Sequence, residues 1–247
     1  MTKEIGVIGG TDSSQGAGLG ADQKTINDHG CNHHSVMSAI TFQNSIPSRI
    51  HPIPVIALKH QLKSLSKIPL DAIKIGMLPE EESIFELVDF LKNSQCSKII
   101  LDPVRSSSSG TELLPAKAWE SLITHLVPYS HLITPNLIEA KLLLGIDLSA
   151  KTQPIELARA CLELGSNSVL LKGGHMDDPS YSTDIWVTHN KGPQFFQYRR
   201  IPGGTKVRGT GCRLASAISC EWALSGNLER SIEHAGKYLQ RYIQVNL

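Results

Sequence analysis

The stretch Arg208-Gly209-Thr210-Gly211-Cys212-Arg213 decides how this chain is read. Gly209 and Gly211 flank a threonine, a cysteine follows at once, and Leu214, Ile218 and Trp222 then recur four residues apart. That spacing predicts a tight turn opening the apolar face of a helix. The first-turn N–H groups of such a helix have no partner inside it. With the helix dipole they favour an anion, and glycine lets a ligand come close to the backbone. A thiol in the same field is expected to ionise more readily than a free one, which makes Cys212 a candidate base or nucleophile near neutral pH. The competing reading is a small buried cysteine that merely opens a core helix.

Working outward from that stretch, the turn Pro202-Gly203-Gly204 precedes it, and a final helix is expected from Leu228 to about Val245. Further upstream, Asp184 to Thr188 and Gln194 to Tyr198 flank His189-Asn190-Lys191-Gly192 and read as an antiparallel hairpin. The remaining strands are expected at Ile5 to Gly9, His34 to Thr41, Ala72 to Ile75, Lys98 to Leu101, His131 to Thr134 and Ser168 to Leu171. Between them fall helical patterns. One runs through His29-Gly30 after a glycine-rich loop, and one carries Val55, Leu58, Leu62 and Leu65 on one face. A third starts acidic at Glu80-Glu81-Glu82, and others span Pro115 to Leu126, Leu137 to Leu144 and Pro154 to Leu164. Strand and helix alternate through most of the chain, which predicts an α/β fold with a mostly parallel sheet covered on both faces. No repeat or linker interrupts the pattern, so a single domain over residues 1–247 is expected.

Composition narrows the function. Basic and acidic side chains number 24 and 23, so the formal charge of +1 gives no field that would favour nucleic acid or a membrane surface. Five cysteines are odd in number and scattered, which indicates neither a disulfide framework nor a zinc site and fits a reducing, cytoplasmic setting. Met1-Thr2-Lys3-Glu4 runs straight into an apolar strand without a signal-peptide pattern, and no apolar run reaches the roughly 18 residues of a membrane span.

In an open α/β sheet, ligands bind beyond the carboxyl ends of the strands. Asp12, Gln43, Met77, Asp102, Asn136 and Lys172 stand at those ends. Each alone reads as a turn former; together they line one rim. Asp102 and Glu139 are the acidic candidates for a magnesium ion, which takes oxygen ligands and bridges phosphates. Asn136 and Glu139 share a face at i, i+3, although Glu139 in isolation reads equally well as a helix-dipole partner. Lys172 before Gly173-Gly174 brings an ammonium and backbone amides toward a phosphate, or simply ends a strand.

Taken together, these segments resemble the hydroxymethylpyrimidine and phosphomethylpyrimidine kinases of thiamin biosynthesis, within the ribokinase-like superfamily. The likeness spans nearly the whole chain. It rests on Gly10-Thr11-Asp12-Ser13-Ser14-Gln15-Gly16-Ala17-Gly18 with Ala21-Asp22 and Lys24-Thr25, and on Phe42-Gln43-Asn44. It continues through Lys74-Ile75-Gly76-Met77-Leu78, Asp102-Pro103-Val104, Thr134-Pro135-Asn136-Leu137 with Glu139-Ala140, Leu171-Lys172-Gly173-Gly174-His175 and Gly209-Thr210-Gly211-Cys212. The resemblance implies a three-layer α/β/α sandwich, a homodimer, and ATP-dependent phosphorylation of 4-amino-5-hydroxymethyl-2-methylpyrimidine and of its monophosphate. It places the pyrimidine near Gly10, Asp22, Gln43 and Met77, and makes Cys212 the base, with Gly209, Thr210, Gly211 and Lys172 stabilising the transferred group. Asn136, Lys172, Gly174 and Thr210 would hold the nucleotide, and Asp102 and Glu139 the Mg2+.

The chain departs from the family pattern at three positions. Ser108 stands where the family carries lysine, and Arg208 and Arg213 stand where it carries histidine and threonine. If the family's lysine helps hold a phosphate, its replacement bears on the second phosphorylation, and the two arginines are candidates to supply that charge from another direction. Two further readings accompany the first: a pyridoxal-type kinase of the same fold, and a catalytically silent pyrimidine- or nucleotide-binding regulator.

Overall fold

The computed structural model describes residues 2–42, 49–105, 113–175 and 178–247. Gln43 and the serine stretch containing Ser108 lie outside the described residues.

Nine strands form one sheet in the order β3-β2-β1-β4-β5-β6-β7-β8-β9. The strands β1 (Glu4–Asp12), β2 (Asn32–Phe42), β4 (Ala72–Ile75), β5 (Ile99–Leu101), β6 (Leu132–Ile133) and β7 (Ser168–Leu171) run parallel. At one edge β3 (Arg49–Pro52) pairs antiparallel with β2, and at the other the hairpin of β8 (Tyr181–Thr188) and β9 (Lys191–Arg199) extends the sheet.

Alternation along the strands sorts side chains between two cores. Ile73, Ile75, Leu101, Ile133, Val169 and Leu171 pack with α2 (Val55–Leu65), α3 (Glu81–Lys92), α4 (Ala116–Ser121), α5 (Leu137–Leu143) and α6 (Pro154–Leu162). Their neighbours Ile100, Leu132 and Leu170 point the other way, against α7 (Thr210–Ser225) and α8 (Leu228–Val245). Ile5 and Val7 meet Leu19 and Ile26 of α1 (Gly18–Asp28) on that same side. The result is the expected three-layer sandwich. Leu214 and Ile218 are buried on the sheet side of α7, each contributing about 1.5–3 kcal/mol, with Trp222 packed beside them.

Several boundaries differ from the sequence reading. The hairpin is longer, because Thr188 pairs with Lys191 across His189-Asn190, and both strands extend into exposed polar residues that carry no hydrophobic alternation. The edge strand β3 has no apolar signal either; its Pro52 is tolerated because it stands at the rim of the sheet. The helix expected to reach Leu126 changes to a wider π-turn over Leu122–Leu126 before Pro128, which lacks an N–H.

Candidate active site

The carboxyl ends of the parallel strands and the start of α7 enclose a cleft of about 600 Å3. The turn into α7 explains why it opens there. Gly209 has φ +70, and a Cβ on it would run into the carbonyl of Gly16, so only glycine fits. The first helical bond runs from the Arg213 N–H to the Gly209 carbonyl, 3.0 Å. The N–H groups of Thr210, Gly211 and Cys212 precede it, and no side chain caps them.

Every described residue to which the family resemblance gives a role reaches this cleft: Gly10, Asp22, Met77, Asp102, Asn136, Glu139, Lys172, Gly174, Gly209, Thr210, Gly211 and Cys212. Gln43 lies outside the described residues. Asp12 does not join the lining. Its Oδ2 is engaged by the Ser14 hydroxyl and lies 3.5 Å from the Arg208 guanidinium, while its Oδ1 is buried without a hydrogen-bond partner among the described residues.

The expectation of an acidified cysteine is corrected by the surroundings of Cys212. Burial pushes the thiol up to about 11, outweighing the Lys74 ammonium and the Gly18 N–H, which favour the thiolate. Position at a helix N-terminus is not sufficient when the group is also desolvated.

At the end of β7, the Lys172 Nζ lies 2.8 Å from Asp102 Oδ1 and 3.6 Å from Glu139 Oε2. Burial opposes charge on Asp102, yet Lys172 and Lys74, with hydrogen bonds from Lys172 and Thr134, hold its carboxyl below the usual range. Glu139 goes the other way: burial, reinforced by the Asp102 charge, pushes it up to about 7 against the pull of Lys172. The helix-end reading of Glu139 is observed directly. It closes a capping box with Asn136, whose N–H donates to Oε2 at 2.7 Å and whose Oδ1 accepts from the Glu139 N–H at 2.8 Å, and it lines the cleft.

Asp22 faces the cleft with both oxygens already engaged. Oδ2 accepts from Lys74 Nζ at 2.9 Å, and Oδ1 accepts from the Ser216 hydroxyl at 2.8 Å. Gly10 lies against Met77, where a Cβ would strike the methionine methyl.

Neither of the two unusual arginines is among the residues that line the cleft. Arg213 is buried on the far side of the helix turn, donating to the Ala21 carbonyl at 3.2 Å and to Thr25 Oγ1 at 3.4 Å, with its guanidinium 4.1 Å from the centre of the Tyr242 ring. It supplies no charge to the cleft. Arg208 reaches instead toward Asp12 and the Ser14 hydroxyl.

Among the lining residues without a role in the sequence reading, Arg200, Asp184 and Lys74 shape the site. Arg200 donates to the carbonyls of Gly174 at 2.9 Å and Gly173 at 3.3 Å, and Asp184 Oδ1 accepts the Gly173 N–H at 2.7 Å. These contacts fix the turn that follows Lys172. Lys74 is the third, fully buried yet lining the cleft. An aspartate heading the apolar run Ile185-Trp186-Val187, and a lysine inside Ala72-Ile73-Lys74-Ile75, were the available signals.

A model of the phosphomethylpyrimidine kinase family matches residues 12–247. The chain belongs to this family. It is 38% identical to the hydroxymethylpyrimidine/phosphomethylpyrimidine kinase of Escherichia coli, over 94% of this chain and 87% of that protein. It is 35% identical to the thiamine biosynthesis bifunctional protein ThiED of Geobacter sulfurreducens over 96% of its length, and spans 48% of that longer protein. Among solved structures, the phosphomethylpyrimidine kinase of Clostridium difficile superposes with a TM-score of 0.82 at 34% identity, covering 98% of this chain and 100% of that one. The ADP complex of Bacillus subtilis pyridoxal kinase gives a TM-score of 0.85 at 28% identity, covering 96% and 90%. The phosphomethylpyrimidine kinase family thus accounts for the ribokinase-like sandwich, and its members are named as kinases. Among the described residues no helix is long and apolar enough to cross a membrane.

Proposed function

We propose that the protein transfers the terminal phosphoryl group of ATP to the hydroxymethyl group of 4-amino-5-hydroxymethyl-2-methylpyrimidine, and then to the phosphate of the resulting monophosphate. The observation that carries this reading is convergence: three free amides of α7, the Lys172 ammonium and the Cys212 thiol meet in one cleft. The amides and Lys172 suit a phosphoryl group whose charge is spread over its oxygens as it moves. Asn136 and the turn at Gly174 lie on the nucleotide side with Lys172. Gly10, Asp22 and Met77 lie on the pyrimidine side of this reading.

Cys212 receives the proton lost by the acceptor hydroxyl as the new P–O bond forms. Burial keeps its thiolate scarce at neutral pH. The demand on the base is correspondingly small, because a loose phosphoryl-transfer transition state releases that proton late.

The donor set fits Mg2+. Asp102 Oδ2 and Glu139 Oε1 take no hydrogen bond among the described residues, and both carboxylates line the cleft. Magnesium is commonly held by one or two carboxylates and keeps water and phosphate oxygens as its other ligands, so this pair suffices as a protein donor set. When bound, it would neutralise charge on the phosphates.

The test is ATP consumption with the pyrimidine alcohol, its monophosphate and pyridoxal in parallel. Turnover of the first two is expected. The likeness to pyridoxal kinase favours a second reading, and turnover of pyridoxal alone would establish it. Binding of the pyrimidine without turnover of any substrate would point to a silent regulator. Cys212→Ala should lower turnover far more than pyrimidine affinity; equal losses would make the thiol a packing group.

A further inference from the structure

Lys74 heads the largest completely buried side chains among the described residues, and the transfer chemistry above does not use it. It stands between Ile73 and Ile75 in β4, where alternation turns it toward α1 and α7. An ammonium group loses its hydration there and persists only with a compensating partner. Asp22 on α1 provides one at 2.9 Å, and Ser216 on α7 fixes the other oxygen of that carboxylate at 2.8 Å.

This triad is more than a core ion pair, because it opens onto the cleft. Gly76 and Lys74 both line the cleft, and a Cβ on Gly76 would lie 3.0 Å from Nζ, so only the glycine backbone stands between that charge and the cavity. Ser216 comes one helical turn after Cys212, so its bond to Asp22 holds the face of α7 that carries the thiol. On the other side of the same turn stands Lys172, 3.4 Å from where a Cβ on Gly211 would lie, with Asp102 Oδ2 at 3.6 Å. The first turn of α7 is therefore set between two lysines, each tied to its own aspartate.

We propose that Lys74, held by Asp22 and Ser216, is a positioning residue whose fixed positive charge favours the anionic form of Cys212, while Lys172 serves the phosphoryl donor. This inference rests on the reading of Cys212 as proton acceptor. The charged groups facing the thiol are Lys74, Asp22, Asp102 and Lys172. Burial is the largest influence on it and works against the thiolate; among the charges, Lys74 most strongly favours the thiolate, and Asp22 and Asp102 oppose it.

The test needs no kinase turnover. Alkylation of Cys212 by iodoacetamide at pH 8.5 is followed by peptide mass spectrometry, which separates it from the other cysteines. Lys74→Met is expected to slow alkylation about tenfold, the effect of one nearby charge, and to lower kcat with little change in the KM for the acceptor. Lys74→Arg should retain most of the wild-type rate. Asp22→Asn should speed alkylation, because it removes an opposing charge. A purely structural role for the triad would move Lys74→Met and Asp22→Asn in the same direction, and that result, or unchanged alkylation in folded Lys74→Met, overturns the proposal. Should Lys74→Met fail to fold, the double variant Lys74→Met/Asp22→Asn, which removes both members of the buried pair, decides: alkylation no slower than in Asp22→Asn overturns the proposal. A wild-type protein that phosphorylates none of the three substrates would remove the proposed function and leave the alkylation result standing.

Discussion

Gly209 abuts the carbonyl of Gly16, so the turn that opens α7 and the loop that leads into α1 form a single contact. The amides offered to a ligand keep their aim only while that contact holds. Gly209→Ala adds a Cβ in the left-handed region, at about 1–2 kcal/mol, and drives it into Gly16. Thermal unfolding should show at least that loss, and turnover should fall more than tenfold. Unchanged turnover would mean the amides play no part.

Lys172 and Asp102 form a buried pair at 2.8 Å. Lys172→Met leaves the aspartate unpaired, and loss of one member of such a pair costs about 3–5 kcal/mol. The double variant with Asp102→Asn should recover part of this stability in urea unfolding, because the orphaned charge is gone, while turnover stays low. Strict additivity of the two single losses would show that the pair is not coupled.

Glu139 gives a pH dependence whose sign follows from linkage. Burial pushes its carboxyl up to about 7 from an ordinary value of 4.5, so the folded state holds a proton that the unfolded chain releases. Its contribution to stability is greatest below the unfolded value and falls as pH rises toward 7, by at most about 1.4 kcal/mol per pH unit. Urea midpoints measured from pH 5 to pH 8 should therefore show a steeper decline for the wild type than for Glu139→Gln. Parallel curves would place the carboxyl in a more solvated setting.

Gly10 touches the Met77 side chain at the end of the cleft proposed above for the pyrimidine. Methionine is flexible and can yield, so Gly10→Ala should alter stability by less than about 1.5 kcal/mol. The displaced methionine would narrow that end, raising the KM for the pyrimidine while the KM for ATP stays near wild type. Equal changes in both would move the ring elsewhere.

Much of this arrangement was legible because periodicity and turn chemistry are local. Leu214, Ile218 and Trp222 marked the apolar side of α7, and glycines at its start marked the exposed amides. What escaped depends on contacts distant in sequence. Arg213 reads as a cation beside the cleft until Ala21, Thr25 and the Tyr242 ring are seen to surround it. The Cys212 thiol reads as acidic until its burial is known. Lys74 looks like one polar residue in an apolar strand, and only the fold brings Asp22 to it. Arg200 carries no motif, and its role follows from a hairpin that returns it to Gly173 and Gly174.

The cleft floor alternates in sign from Asp22 through Lys74 and Asp102 to Lys172, each lysine pinned to a carboxylate. Seen from several ångströms away, such an array nearly cancels. An incoming polyanion gains little long-range steering and is captured only at close quarters, so its association rate should barely respond to added salt.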